Sequence, residues 1–236
     1  MRIIVDIMSG DKAPLEQLIG AYEAAKENPS VSFTFVGNEA IIRAIAQSRG
    51  LPLDLKNIEI CHTDSVVTME DQPLIVVREK KDSSMGKGLK LLSEGKGDAF
   101  VSAGNTGALH AGSTLIVRRI KGIQKSAIAT ILPFANPTLL IDSGANIEIN
   151  PETYVQFAQM GTVYMREILG VYNPRVGLLN IGEERTKGTK TVIKAHGSSD
   201  AYAIKNAIRQ AINCVDNSVT YKIAKQVVPD IIGSDN

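Results

Sequence analysis

The sequence predicts an α/β fold with a mainly parallel sheet, and two observations carry that expectation. Short apolar, β-branched runs alternate with stretches of helical periodicity, and the carboxyl ends of several of these runs pass into polar, glycine-rich loops. A third observation sets the scale. The 236 residues are 44% hydrophobic, enough for a substantial core in a single α/β domain spanning 1–236.

The elements follow in order. Ile3-Ile4-Val5 reads as the first strand, and residues 13–28 carry Leu15, Leu18, Ile19, Tyr22 and Ala25 at helical spacing. Phe33-Thr34-Phe35-Val36, closed by Gly37, is the next strand, completing a β-α-β unit. A helix over 39–47, a strand over 58–61, a helix over about 86–94 and a strand at Ala99-Phe100-Val101 continue the alternation. A helix at about 106–118, strands over 127–132, 138–141 and 176–179, and a helix over about 151–169 complete the central region. The last strong helical pattern begins at Ala201.

Composition excludes several function classes. Cys61 and Cys214 lie far apart without a C-x-x-C or Cys/His cluster, so neither a disulfide framework nor a zinc site is expected. Twenty-six basic against 25 acidic residues give a net charge of +1, which argues against a nucleic-acid binder. No apolar run approaches the length of a membrane span, and the N-terminus reads as a strand, so a cytoplasmic protein is expected.

In an open parallel sheet, ligands collect outside the carboxyl ends of the strands. Four such ends are polar here and are expected to converge. Val5 leads into Asp6-Ile7-Met8-Ser9-Gly10-Asp11, and Val101 into Ser102-Ala103-Gly104-Asn105-Thr106-Gly107. Ile141 leads into Asp142-Ser143-Gly144-Ala145-Asn146, and Leu179 into Asn180-Ile181-Gly182-Glu183-Glu184. The loop holding Gly104, Asn105, Thr106 and Gly107 would let helix N-terminal amides approach an anion such as phosphate. The same residues also suit a tight turn with a capped helix. The loop is neither G-x-G-x-x-G nor G-x-x-x-x-G-K-[ST], which weakens the dinucleotide and nucleoside-triphosphate readings.

Lys80-Lys81-Asp82-Ser83-Ser84 places cations and hydroxyls before a helix, which is either a second anion site or a capped helix with solvated lysines. Asp6 and Asp11 flank Gly10 and suit turns or the orientation of a nearby lysine. His196-Gly197-Ser198-Ser199-Asp200 precedes the last helix, where a serine cap explains much of the pattern. No Ser/His/Asp or Cys/His spacing makes a nucleophile, and Glu183-Glu184 have no histidine partner for a metal. No metal or cofactor is expected.

These segments, in this order, closely resemble the bacterial PlsX family of phosphate acyltransferases, from Met1 to about Asn217. The resemblance implies a three-layer α/β/α fold like that of isocitrate dehydrogenases and phosphotransacetylases. It also implies a homodimer acting in phospholipid synthesis, with acylated acyl carrier protein and inorganic phosphate as substrates. Two departures stand out. Ser9 replaces the first glycine of the family's Met-Gly-Gly-Asp pattern, with Lys12 where a histidine is usual. In addition, a family segment is missing between about 188 and 192, which would carry a membrane-associating hairpin and a peripheral contact with the inner membrane face.

For the reaction the resemblance implies, positioning and charge compensation should dominate. Lys81 and the Asn105-Thr106-Gly107 helix start are expected to hold phosphate, with Ser83 or Ser84 and Asn146 donating to the carbonyl oxygen. Asp6, Gly10, Asp11, Gly104, Asp142, Glu183, His196 and Ser198 complete the expected substrate site. The competing readings are a short-chain phosphotransacetylase-like enzyme and a non-catalytic protein that binds phosphate or an acyl carrier.

Overall fold

The computed structural model describes residues 1–179 and 200–227, and the chain divides into two compact units. The first comprises Met1–Arg118 together with 196–215, the second 119–195 together with 216–236. Calls at Glu183, His196 and Ser198, and the join near Lys190, lie outside the described residues.

The first unit is built on a four-stranded parallel sheet of order β3-β2-β1-β4, with β1 at Arg2–Asp6, β2 at Ser32–Gly37, β3 at Ile58–His62 and β4 at Ala99–Val101. Ile3, Ile4 and Val5 are all buried, as a central strand covered on both faces requires. One face carries Ile3, Val5, Phe33 and Phe35. They pack with Leu18 and Ala21 of α1 (Leu15–Glu27), Ile42 and Ala46 of α2 (Glu39–Ser48), and Ile204 and Ile208 of α6 (Ala201–Asp216). The other face is covered by α3 (Ser84–Ser93), whose Met85 and Leu89 cluster with Val67, Val76 and Ala108 of α4 (Thr106–Gly112). A wider helical turn, Ser113–Val117, extends α4. The result is three layers, helix on sheet on helix, as expected.

Helix α6 seats against α1 because Gly20 offers no side chain. A Cβ there would stand 2.5 Å from the Ala201 carbonyl oxygen and 2.8 Å from Ile204 Cβ. The contact is finished by polar groups. The Ala201 N–H donates to Glu16 (2.8 Å), while Lys205 and Arg209 pair with Glu27 at 3.1 and 3.2 Å, which holds that carboxyl below its ordinary range.

The second unit holds an antiparallel pair, β5 (Ala129–Leu132) and β6 (Thr138–Ile141), with helix α5 (Pro151–Leu169) packed on β6 and α7 (Val219–Val227) packed on α5. The α5 bounds are those expected, because Asn150 caps the Thr153 N–H (2.9 Å), Pro151 takes the first position and Gly170 ends the helix with φ +67°. Lys222 of α7 forms an ion pair with Glu167 of α5. The expected strand over 176–179 is not formed. Those residues have no ladder partner among the described residues and help line a groove of about 880 Å³ together with β6 and α5. A run of β-formers becomes a strand only where a neighbour takes its backbone hydrogen bonds.

Candidate active site

Strand order places the site. From β1 the chain winds outward through β2 and β3, then returns to add β4 on the other side of β1, so the crevice of this α/β sheet opens between the carboxyl ends of β1 and β4. Two of the four polar strand ends therefore meet directly. The one after β6 belongs to the second unit, and the one after Leu179 lies outside the described residues.

At the end of β1, Asp6, an expected substrate ligand, is 1% exposed, with its carboxylate turned into the loop rather than to solvent. Its carboxylate accepts the Met8 N–H at 3.1 Å and the Ser102 hydroxyl at 2.8 Å. Burial pushes this carboxyl above the ordinary aspartate value of 3.8; the hydroxyls of Ser84, Ser9 and Ser102 and the Met8 amide pull the other way. Ser9 and Ser84 turn buried hydroxyls toward the carboxylate, and those hydroxyls have no other hydrogen-bond partner.

The Ser102 hydroxyl also accepts the Gly104 N–H at 3.1 Å, tying Asp6 to the turn that opens α4. That turn is tightly enclosed. A Cβ on Gly104 would lie 2.6 Å from Ser9 Cβ and 2.9 Å from Met85 Cε, and Gly10, at φ +120°, lets the β1 loop press against the Ala103 carbonyl. Asp11 is exposed beyond this contact. Asn105 caps α4 through the Ala108 N–H (3.0 Å) and donates its amide to the carbonyls of Thr68, Met69 and Asp71. With that cap in place, the Thr106 and Gly107 N–H groups remain in the first turn without intrahelical acceptors, and Thr106 is exposed. Gly107 is also required by packing, since a Cβ would stand 2.9 Å from Pro73 Cγ.

The start of α3 forms the next wall. Ser83 accepts the Gly86 N–H (3.1 Å) and donates to the Lys80 carbonyl (2.7 Å), so its hydroxyl is spent on the helix cap rather than offered to a substrate. Ser84 is fully buried and its N–H donates to the Ser65 carbonyl at 3.0 Å. Lys80 pairs with Asp71, whose carboxyl this ammonium holds below the ordinary range. Lys81 is exposed beside it. Because the Asp71 carbonyl also receives the Asn105 amide, the two helix starts share one loop.

In the second unit, Asp142 organises its own turn. It accepts the N–H groups of Ile128, Ala145 and Asn146. The Asn146 side chain, expected as an oxyanion donor, donates to the Ser126 carbonyl (2.8 Å) and to Asp142 (2.9 Å), so both its protons are held within the turn. Sequence reasoning found the loops but missed Thr68–Asp71, whose backbone carbonyls leave no mark on side-chain pattern. Among the described residues no cluster of His, Cys, Asp or Glu could hold a metal, and no helix is long and apolar enough to cross a membrane.

Comparison with known proteins places this geometry. The chain is 45% identical over 197 residues to a phosphate acyltransferase of Acetivibrio thermocellus, covering 83% of this chain and 58% of that protein. It is 41% identical over 233 residues to one from Thermoanaerobacterium thermosaccharolyticum, covering 98% and 66%. The chain thus spans under two thirds of the length of most of these relatives. Among solved structures, the EutD phosphotransacetylase from Staphylococcus aureus superposes with a TM-score of 0.53 at 17% identity, over 93% of this chain and 65% of that one, a likeness of fold. A family model described as fatty acid synthesis protein matches residues 1–192, and the chain belongs to that family, the PlsX family.

Proposed function

We propose that the chain works as a phosphate acyltransferase, forming an acyl phosphate from an acyl thioester and inorganic phosphate. The observation that carries this is the start of α4. The first-turn amides of Thr106 and Gly107, which have no intrahelical acceptor, lie at the strand-order switch of a chain in this family. Phosphate held there needs no general base, being already an oxygen nucleophile at neutral pH. One of its oxygens attacks the thioester carbonyl, the C–S bond breaks, and the thiolate departs. Exposed Lys81 offsets phosphate charge. Helix-start dipoles at α3 and α4 stabilise the charge that develops on the carbonyl oxygen.

The family resemblance supports the remainder of the reading: an acylated carrier protein as donor, two copies of the chain acting together, and an approach to the inner membrane face. The test is phosphate-dependent thiol release from a long-chain acyl carrier thioester, with acyl phosphate trapped as the hydroxamate and acetyl-CoA as the competing donor. We expect release only with phosphate and only from the long-chain donor. Release from acetyl-CoA instead would favour a short-chain phosphotransacetylase, and carrier binding without release would leave a binding protein. Lys81→Ala should raise the phosphate KM by about tenfold, the scale of one charge-assisted contact. Lys87→Ala should not, since Lys87 is engaged with the His62 carbonyl at 2.6 Å.

A further inference from the structure

The first unit holds a second concavity, toward the amino ends of its strands. Glu59 and Cys61 alternate along β3 with Ile58 and Ile60, which pack into the core beneath α1 and α2. Glu59 and Cys61 therefore face the α3 side of the sheet, together with Thr34 of β2, the register partner of Glu59. There Leu91 of α3 and the turn through Gly95 and Gly97 close over a cavity of about 360 Å³, at the small end of the range for ligand pockets.

Two of its lining groups are chemically uncommitted. Cys61 is a free thiol and part-exposed. Thr34 is 2% exposed, and its hydroxyl, able both to donate and to accept, has no hydrogen-bond partner. A buried hydroxyl in that state gains from any polar group brought to it. The rim carries both signs of charge. Arg2 pairs with Glu59 at 2.9 Å, and its backbone N–H donates to Asp98 at 2.6 Å. Lys96 pairs with Glu94 at 2.7 Å, and that carboxylate, with a smaller contribution from the Cys61 sulfur, holds the ammonium above its ordinary range. A molecule bearing both an ammonium and a carboxylate complements such a rim, whereas a simple anion or cation complements half of it.

We propose that this pocket is a modification site, in which a small disulfide of the α-amino-acid class converts Cys61 to a mixed disulfide. The Cys61 thiolate attacks one sulfur of the incoming disulfide, and the new Cys61–sulfur bond forms as the old S–S bond breaks. The other half leaves as a thiolate and takes up the proton that Cys61 gave up. The incoming disulfide is itself the oxidant, being reduced to one free thiol as Cys61 is oxidised. The retained half sets its polar groups against the Thr34 hydroxyl and the rim charges.

The test follows adduct formation on the full chain by intact mass, with cystine and with the uncharged hydroxyethyl disulfide as reagents. Of the two cysteines, Cys214→Ser leaves only Cys61, and peptide mapping of the wild type gives the same readout should that variant not fold. Each rate is divided by that of the same disulfide with a free small thiol, which removes the reagents' own difference in reactivity. We expect one half-cystine on Cys61, at a rate that saturates with cystine concentration and exceeds the normalised rate of the uncharged disulfide by about tenfold. Thr34→Val keeps the side-chain shape without the hydroxyl, and Lys96→Gln removes a rim charge. Each should cut that preference by about threefold while leaving the uncharged reaction unchanged. Should Thr34→Val not fold, Lys96→Gln decides. No adduct on Cys61 would overturn the site. So would equal normalised rates that rise linearly with concentration, the behaviour of an exposed thiol beside a pocket that holds only water.

Discussion

Asp6 and Asn105 show how differently two buried polar side chains can sit in one loop cluster. Because burial raises the folded-state pKa of Asp6 above its unfolded value, the folded state holds the proton more tightly. The associated stability is present below the unfolded pKa and is lost as pH rises through the folded one. Wild-type stability should therefore decline across that window in denaturant titrations at stepped pH. Asp6→Asn should flatten the decline and be the more stable protein at neutral pH, and a parallel decline in both would remove Asp6 as its source. Asn105 has no such conflict. Asn105→Ala removes a helix cap and strands three loop carbonyls, a loss of about 2 to 4 kcal/mol by denaturant midpoint. At this scale the sequence located the polar loop residues, and the coordinates show where their hydrogen bonds go. Asp6, Asn146 and Ser83 have the chemistry of substrate ligands, but their hydrogen bonds are consumed internally, and only coordinates distinguish an outward lone pair from an inward one.

At the scale of elements the reading was far closer, because periodicity and capping are local. The α5 bounds, the β4 strand and the helix following Asn38 are all written in side-chain pattern. The exceptions depend on a distant neighbour. The run at 176–179 has strand composition and no ladder among the described residues, and α7 follows α6 across the two residues Asn217 and Ser218, a break that the helical pattern beginning at Ala201 does not mark. Gly88 in α3 offers a test of competing effects. Alanine there would improve helix propensity by about 1 kcal/mol, but its Cβ would lie 2.3 Å from Phe100 Cε2, an overpacking that costs about 1 to 3 kcal/mol. Gly88→Ala should thus be destabilising on balance, by chemical denaturation. A stabilised variant would mean that β4 yields more readily than its close packing suggests.

Across the whole molecule, apolar surface is unevenly spread. In the second unit Ile147, Val176, Leu178 and Leu179 are each more than 60% exposed and line or flank one groove, whereas the first unit buries its apolar residues on both sheet faces. Surfaces of that kind bind apolar dyes and associate. The protein should enhance the fluorescence of an anilinonaphthalene dye and sediment faster with rising concentration, and Leu178→Lys combined with Val155→Lys should reduce both effects by half or more. Unchanged dye binding would place the responsible surface elsewhere. The other large-scale feature is the wide separation, 96 residues, between Asp6 and Ser102. No fragment ending before β4 can contain the cradle, so on a growing chain it comes into being only after a hundred residues have emerged and β4 has docked beside the first strand. An anion that prefers the finished cradle therefore acts as a selective clamp on the completed sheet, raising its melting temperature in proportion to the logarithm of concentration and leaving earlier intermediates untouched.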